Sequence, residues 1–400
     1  MVGWHGVVIH DEGKETALAE PWLDIVEKLT EFFATDQIEA SARQTGFVRR
    51  TSTITGKLFL AVMTMGAWST PKTSLAQLAA KGAHLPTPVD LSPEALHQRM
   101  TRRAVAFLRA MLQRAFAKLQ TEDRVCDAEL FAPFNAVHLA DSTGFELPPS
   151  LKDLFPGSGG GASTAGAKMQ LLWEYLSHSF AQLAWVAGTT PDNKYIDTVV
   201  KLAQRGALLL FDLGYFKIKA LAQIAEAEAY FLTRHNHQAA LFAVVAGRVR
   251  PVELAAWLRT EPQRLVEKPL YLGARARVAV RLVAARVPEA VVNERRRKAR
   301  ANAKKRGYTP SQAQLSLLAW NLFLTNVPRT VWTPATVCRA YALRWQVELV
   351  FKSWKSYLHL AALPTKTQEP TLCYLYGRLL LIVLTYALCP ALRASLWAAL

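Results

Sequence analysis

Five apolar residues, Ala207 to Phe211 (ALLLF), stand between Gly206 and Asp212. The run is too short for a helix and shows no polar alternation. It therefore reads as a central strand covered on both faces. Helical patterns flank it, Pro191 to Arg205 before and Lys217 to Glu228 after, and Ala229 to Arg234 reads as a further strand. Upstream, Ala136 to Ala140 is a short apolar strand ending at Asp141, and Met169 to Tyr175 and His178 to Val186 read as two strands joined by a tight turn. The order is strand, strand, strand, helix, strand, helix, strand. That pattern predicts an α/β fold, a mixed sheet with helices on its faces.

The chain has 400 residues, 51% of them hydrophobic, enough for two or three domains with a sizeable core. A formal net charge of +17 is large for so apolar a chain and favours a polyanionic partner, nucleic acid or an anionic membrane surface. The four cysteines, Cys126, Cys338, Cys373 and Cys389, form no C-x-x-C pair. They suit a reducing cytoplasm rather than a zinc knuckle or a disulfide scaffold. The N-terminus lacks a basic-then-apolar export pattern, and the apolar stretch Leu372 to Cys389 contains Arg378. We read that stretch as a buried helix, expect no membrane association, and expect a cytoplasmic protein.

Residues 1–125 read as a helical N-terminal domain. Ala19 to Phe33 and Leu58 to Trp68 carry apolar residues at helical spacing. Ser92-Pro93 starts what reads as one long basic helix running to residue 120. The short helix before it makes either a helix-turn-helix DNA-binding unit or a bundle with a basic outer face. Residues 126–236 hold the sheet described above. Residues 237–326 read as a β-rich insertion that ends in a basic segment: Asn293 to Arg306 holds eight Lys and Arg against one Glu. Arg296 and Arg297 within it are candidate contacts to DNA phosphates. Residues 327–362 return to the core with a last helix, and 363–400 form a C-terminal helical segment.

That last helix starts at Thr333-Pro334, a capping pair, and meets no breaker before Pro364. At ~100° per residue, Tyr341, Arg344, Glu348, Lys352 and Lys355 fall within an arc of roughly 80°. Val347, Val350, Phe351, Trp354 and Leu358 fall on the adjoining arc. Taken alone, the polar stripe is a solvated face with i,i+4 pairs such as Glu348 with Lys352. Asp141 and Asp212 change its weight, because each directly follows an apolar run that reads as a central strand. Strand ends in such sheets form a ligand-facing rim. Two carboxylates there and Glu348 from a packed helix would make a three-acid cluster. Hard divalent cations take oxygen ligands, and a pair of them ~4 Å apart can clamp the attacking and leaving oxygens of a phosphoryl displacement.

The spacing Tyr341, Arg344, Glu348, Lys355 is Y-x2-R-x3-E-x6-K, which resembles the signature of bacterial DDE transposases of the insertion sequence 4 family. Asp141 in HLADSTGF and Asp212 in LLLFDLGYF resemble that family's two catalytic aspartate blocks. The similarity covers roughly residues 130–360. It implies a ribonuclease-H-like mixed sheet with a β-rich insertion, and a metal-binding catalytic triad of Asp141, Asp212 and Glu348 holding Mg²⁺, or Mn²⁺ in its place. It further implies that Tyr341, Arg344, Lys352 and Lys355 hold phosphates around the scissile bond. Trp320 would stack on a base flipped from the element's end, or else be a core tryptophan, Trp345 would brace that base, and Arg234 would contact DNA near the site. The implied activity is cut-and-paste transposition on double-stranded DNA, at terminal inverted repeats and target, by a homodimer.

Three other readings compete. Gly161-x4-Gly166 before Ala167-Lys168 approaches a phosphate-binding loop, but its lysine is one position late and Met169 stands where Ser or Thr is needed. A non-catalytic DNA-binding regulator derived from a transposase and a ribonuclease-H-like nuclease that cuts without joining remain as alternatives.

Overall fold

The computed structural model describes residues 32–65, 73–84, 88–119, 130–159, 163–177, 179–344, 351 and 367–388. Ten strands form one mixed sheet: β1 (Ala136–Leu147), β2 (Ala165–Glu174), β3 (Ser179–Ala187), β4 (Ala207–Phe211), β5 (Tyr230–Arg234), β6 (Leu241–Val245), β7 (Arg248–Pro251), β8 (Leu265–Leu272), β9 (Val278–Arg286) and β10 (Trp320–Thr325). Their order is β3-β2-β1-β4-β5-β10-β9-β8-β6-β7. β4 lies between β1 and β5 and is parallel to both, whereas β1, β2 and β3 form an antiparallel meander.

β4 is buried at every position, which explains its unbroken apolar run. Period-two alternation divides its side chains between two cores. Leu208 and Leu210 join Val137, Leu139 and Trp173 on one face. Leu209 and Phe211 join Ala140, Leu172 and Phe231 on the other.

The first face is covered by helices from both ends of the chain: α1 (Thr35–Gln44), α2 (Gly56–Met65), α3 (Leu75–Ala80), α4 (Pro93–Arg99), α5 (Arg102–Leu119), α11 (Pro334–Ala342) and α12 (Gln368–Leu388). The second carries α6 (Asp192–Val200), α7 (Ile218–Glu226) and α8 (Leu254–Thr260). Two further helices, α9 (Glu289–Lys305) and α10 (Gln312–Leu317), precede β10.

Several local expectations change. The basic segment after Ser92 is two helices, because Met100 leaves the helical region at ψ 70° between α4 and α5. α5 buries Phe107, Leu108, Met111 and Leu112 in the shared core, so this basic helix packs as part of a bundle against the sheet. The insertion's strands do not form a sheet of their own. β10 pairs with β5 on one side and β9 on the other, so β6 to β9 extend the central sheet.

α12 covers residues 372–388 of the stretch read as a buried helix and packs on α2 and α5. Its Gly377 lies so near the Met63 carbonyl oxygen that a Cβ would clash with it, a closeness only glycine permits. Among the described residues no helix is long and apolar enough to cross a membrane.

The approach to α11 is fixed by the insertion. Arg281 on β9 pairs with Glu267 on β8, and it donates to the carbonyls of Val327 at 2.6 Å and Trp332 at 3.0 Å. Thr333 then caps α11 by accepting from the Thr336 N–H, with Pro334 at the first helical position.

Candidate active site

Ala140 on β1 lies opposite Phe211 on β4. The residues that follow are Asp141 and Asp212, so parallel pairing brings the two aspartates side by side at the ends of segments whose backbones run about one strand spacing (~4.8 Å) apart. Both alternate onto the face that carries α11, because Ala140 and Phe211 belong to the opposite core. β4 stops before Asp212, which continues in extended backbone at φ −79° and ψ 170°. β1 does not stop at Asp141 as the sequence suggested. It runs on to Leu147, because Ser142 to Leu147 stay paired with β2 after β4 has ended.

α11 closes over this pair. It ends at Ala342, and the Leu343 N–H donates back to the Ala340 carbonyl at 3.3 Å. The helix read as continuous from Pro334 is thus interrupted between Tyr341 and Arg344, yet both side chains still turn the same way. The Tyr341 hydroxyl donates to Asp212 Oδ1 at 3.0 Å. Arg344 Nη1 donates to Asp141 Oδ2 at 2.8 Å. The guanidinium stands 5.7 Å from the centre of the Tyr341 ring, which packs at 4.9 Å on Phe323 of β10. Tyr341 and Arg344 are both buried. The stripe read as a solvated face therefore faces inward, at least as far as these two residues. Burial, then the Asp212 carboxylate, push the Tyr341 phenol well above its ordinary range, so it stays a neutral donor.

Asp141 is held from a second side, where the Ser142 N–H donates to its Oδ1 at 2.8 Å. The Ser142 hydroxyl points through the sheet and donates to Asp192 Oδ1 at 2.9 Å. The same oxygen accepts from Lys168 Nζ at 3.0 Å and Gln170 Nε2 at 2.8 Å. Gln170 Oε1 in turn accepts from the buried Tyr215 hydroxyl. Sequence reading missed this network. Asp192 stands in the first turn of α6 with nothing beside it in sequence to single it out, and Lys168 was weighed only as the lysine of a failed phosphate loop.

Of the remaining predicted residues, Arg234 and Trp320 border a neighbouring groove. Arg234, at the exposed end of β5, lines a cavity of about 490 Å³ with Leu213, His235, Arg295, Lys298 and Trp320. Burial and the charge of Arg234 lower the Arg295 pKa, so two cations share this wall. Trp320 is 5% exposed, with Arg286 against its ring at 4.7 Å. It packs in the second core while its edge borders the cavity. Arg296 bonds the Leu315 carbonyl at 3.3 Å and borders a second cavity of about 690 Å³. Arg297 is exposed and pairs with Glu294. Glu348, Trp345, Lys352 and Lys355 lie outside the described residues.

The donor set suits a hard divalent cation, since adjacent carboxylates offer the oxygen ligands such ions take. A cation on Asp141 would compete with Arg344 for Oδ2. Among the described residues no three His, Cys, Asp or Glu side chains converge as a complete metal site.

Residues 133–384 match the family model described as a transposase DDE domain. The chain belongs to the DDE transposase family. Similar proteins include the transposase for insertion sequence element IS231B of Bacillus thuringiensis subsp. berliner, 26% identical over 89% of this chain and 77% of that one. The transposase for IS231D of Bacillus thuringiensis subsp. finitimus is 28% identical over 90% and 78% of the two chains. The transposase for IS1151 of Clostridium perfringens is 28% identical over 89% and 78%. Membership of the insertion sequence 4 family is consistent with these relatives.

Proposed function

We propose that this chain is an insertion-sequence transposase that cleaves DNA at its element's ends and joins them to target DNA by a cut-and-paste route. The observation that carries the proposal is the pairing of Asp141 with Arg344 and Asp212 with Tyr341 at the junction of two parallel strands. A ribonuclease-H-like core is supported by the strand order β3-β2-β1-β4-β5, with β2 antiparallel and β4 and β5 parallel to β1.

Asp141 and Asp212, with Glu348 as the third acid, hold the metal in this reading, Mg²⁺ or Mn²⁺. Bound divalent ions supply Lewis-acid activation of phosphate and of the attacking oxygen. Hydrolysis at the element's end forms one P–O bond, breaks another and frees a 3′-hydroxyl. That hydroxyl then attacks a second phosphate in the same manner. Arg344 and Tyr341 stand beside the carboxylates and exchange partners to hold the phosphate oxygens where charge develops. Lys352 and Lys355 extend this clamp. Arg234, Arg295 and Lys298 offer the adjacent groove a row of cations for the strand backbone. Trp320 and Trp345 provide rings for a base, and Arg296 and Arg297 serve flanking DNA. Two ends cut together call for a homodimer on DNA, acting on the nucleoid in the cytoplasm.

The test is incubation of the purified protein with Mg²⁺ and labelled DNA carrying the element's inverted repeats. Nicks followed by joined products are expected, and both vanish with Asp141→Asn or Asp212→Asn. Nicks without joining make the protein a nuclease, and binding without nicks makes it a regulator. Full activity in either variant overturns the site.

A further inference from the structure

Asp192 has no part in the chemistry above, yet it sits where the two carboxylate-bearing segments meet. One of its oxygens accepts three hydrogen bonds, from Ser142, Lys168 and Gln170. Ser142 is the residue after Asp141, and its own N–H holds Asp141 Oδ1. On the other side, Asp212 leads into the turn Leu213–Tyr215. Tyr215 is tied through its hydroxyl to Gln170, which is itself bonded to Asp192. Gly214 in that turn lies against Asp192, and a Cβ there would be 3.0 Å from Oδ2. The segments that follow Asp141 and Asp212 therefore rest on one side chain.

The location makes the arrangement costly as mere packing. Gln170 and Tyr215 are fully buried, and the Asp192 and Lys168 side chains are about one-fifth exposed. Their neighbours in this core are apolar, among them Leu172, Ile196 and Phe211. An ion pair in such a place returns little net stability compared with apolar side chains of the same volume. Its distinctive property is geometric: it fixes positions on β1, β2, α6 and the turn after β4 relative to one oxygen atom.

We propose that Asp192 is a positioning residue, a brace on the reverse face of the sheet that fixes the separation of Asp141 and Asp212. The proposal rests on the active-site reading above. Groups that orient metal ligands from behind typically change metal affinity by about 10- to 100-fold when removed. Asp192 acts in that way through Ser142 on one aspartate and through the Gly214–Tyr215 turn on the other.

The experiment measures Mn²⁺ binding to the full chain by electron paramagnetic resonance, with DNA-end binding measured separately in chelator. Asp192→Ala is expected to weaken Mn²⁺ binding about tenfold and to leave metal-free DNA binding unchanged. Asp192→Asn keeps an acceptor for Ser142 and Gln170 and is expected to restore most of the affinity. A folded Asp192→Ala protein with wild-type Mn²⁺ affinity overturns the proposal. If Asp192→Ala does not fold, Ser142→Ala decides between the outcomes: weaker Mn²⁺ binding supports the brace, and unchanged binding overturns it. Asp141→Asn separates the two levels. Should it also leave Mn²⁺ affinity intact, the active-site reading falls. Should it abolish Mn²⁺ binding while Asp192→Ala does not weaken it, the brace alone falls.

Discussion

Arg344 and Asp141 lie 203 positions apart in the chain and meet at 2.8 Å, with side chains only 7% and 13% exposed. Both groups are largely withdrawn from water. Breaking such a buried pair by truncating one member costs on the order of 3 kcal/mol. Arg344→Met is therefore expected to shift the urea midpoint strongly. The double variant Arg344→Met with Asp141→Leu should recover part of the loss. Equal stability of wild type and Arg344→Met would show that the pair is not formed in solution.

Tyr341 offers a finer cut. Replacing it by Phe keeps the packing on Phe323 and removes only the hydroxyl that donates to Asp212. A hydrogen bond to a charged group contributes about 1.5–3 kcal/mol. Tyr341→Phe should lower stability by about the lower end of that range and slow strand cleavage. Denaturant titration and a single-turnover cleavage assay check the two halves.

His235 gives the protein an acid-side instability. Burial, with His237 nearby, lowers its pKa to about 4, against about 6.5 for an ordinary histidine. Between those values the unfolded chain binds a proton that the folded chain refuses. Stability is therefore full above about pH 6.5 and falls as the pH drops towards 4, by on the order of 3 kcal/mol for this group. Thermal melts across that window should show the slope, and His235→Gln should flatten it.

Gly377 is the contact point between α12 and α2. A methyl group there would press into the Met63 carbonyl oxygen, and a backbone atom cannot swing aside. Overpacking of this kind typically costs about 1–3 kcal/mol, and a backbone contact puts Gly377→Ala at the upper end. Calorimetry should show a lower melting temperature. An unchanged value would mean that the two helices can slide apart freely.

Much of the candidate site is legible in the order of the residues alone. The apolar run Ala207 to Phe211 could only be a two-faced strand, and Thr333-Pro334 could only open a helix, because burial and capping are written in neighbouring residues. The Y-x2-R spacing likewise put Tyr341 and Arg344 on one side of a helix. Their partners were not legible. Whether that side met water or carboxylates depended on β1 and β4 lying abreast, and strand pairing joins residues far apart in sequence. The same holds for β1 running on past Asp141, since its end is set by β2 rather than by its own residues. Asp192 is the extreme case. As sequence it is one acid at the start of a helix, and only the sheet brings Ser142, Lys168 and Gln170 to it. Local periodicity determined the elements and the stripe, whereas tertiary pairing decided what the stripe faces, because helix and strand periods are properties of adjacent residues and contacts across a sheet are not.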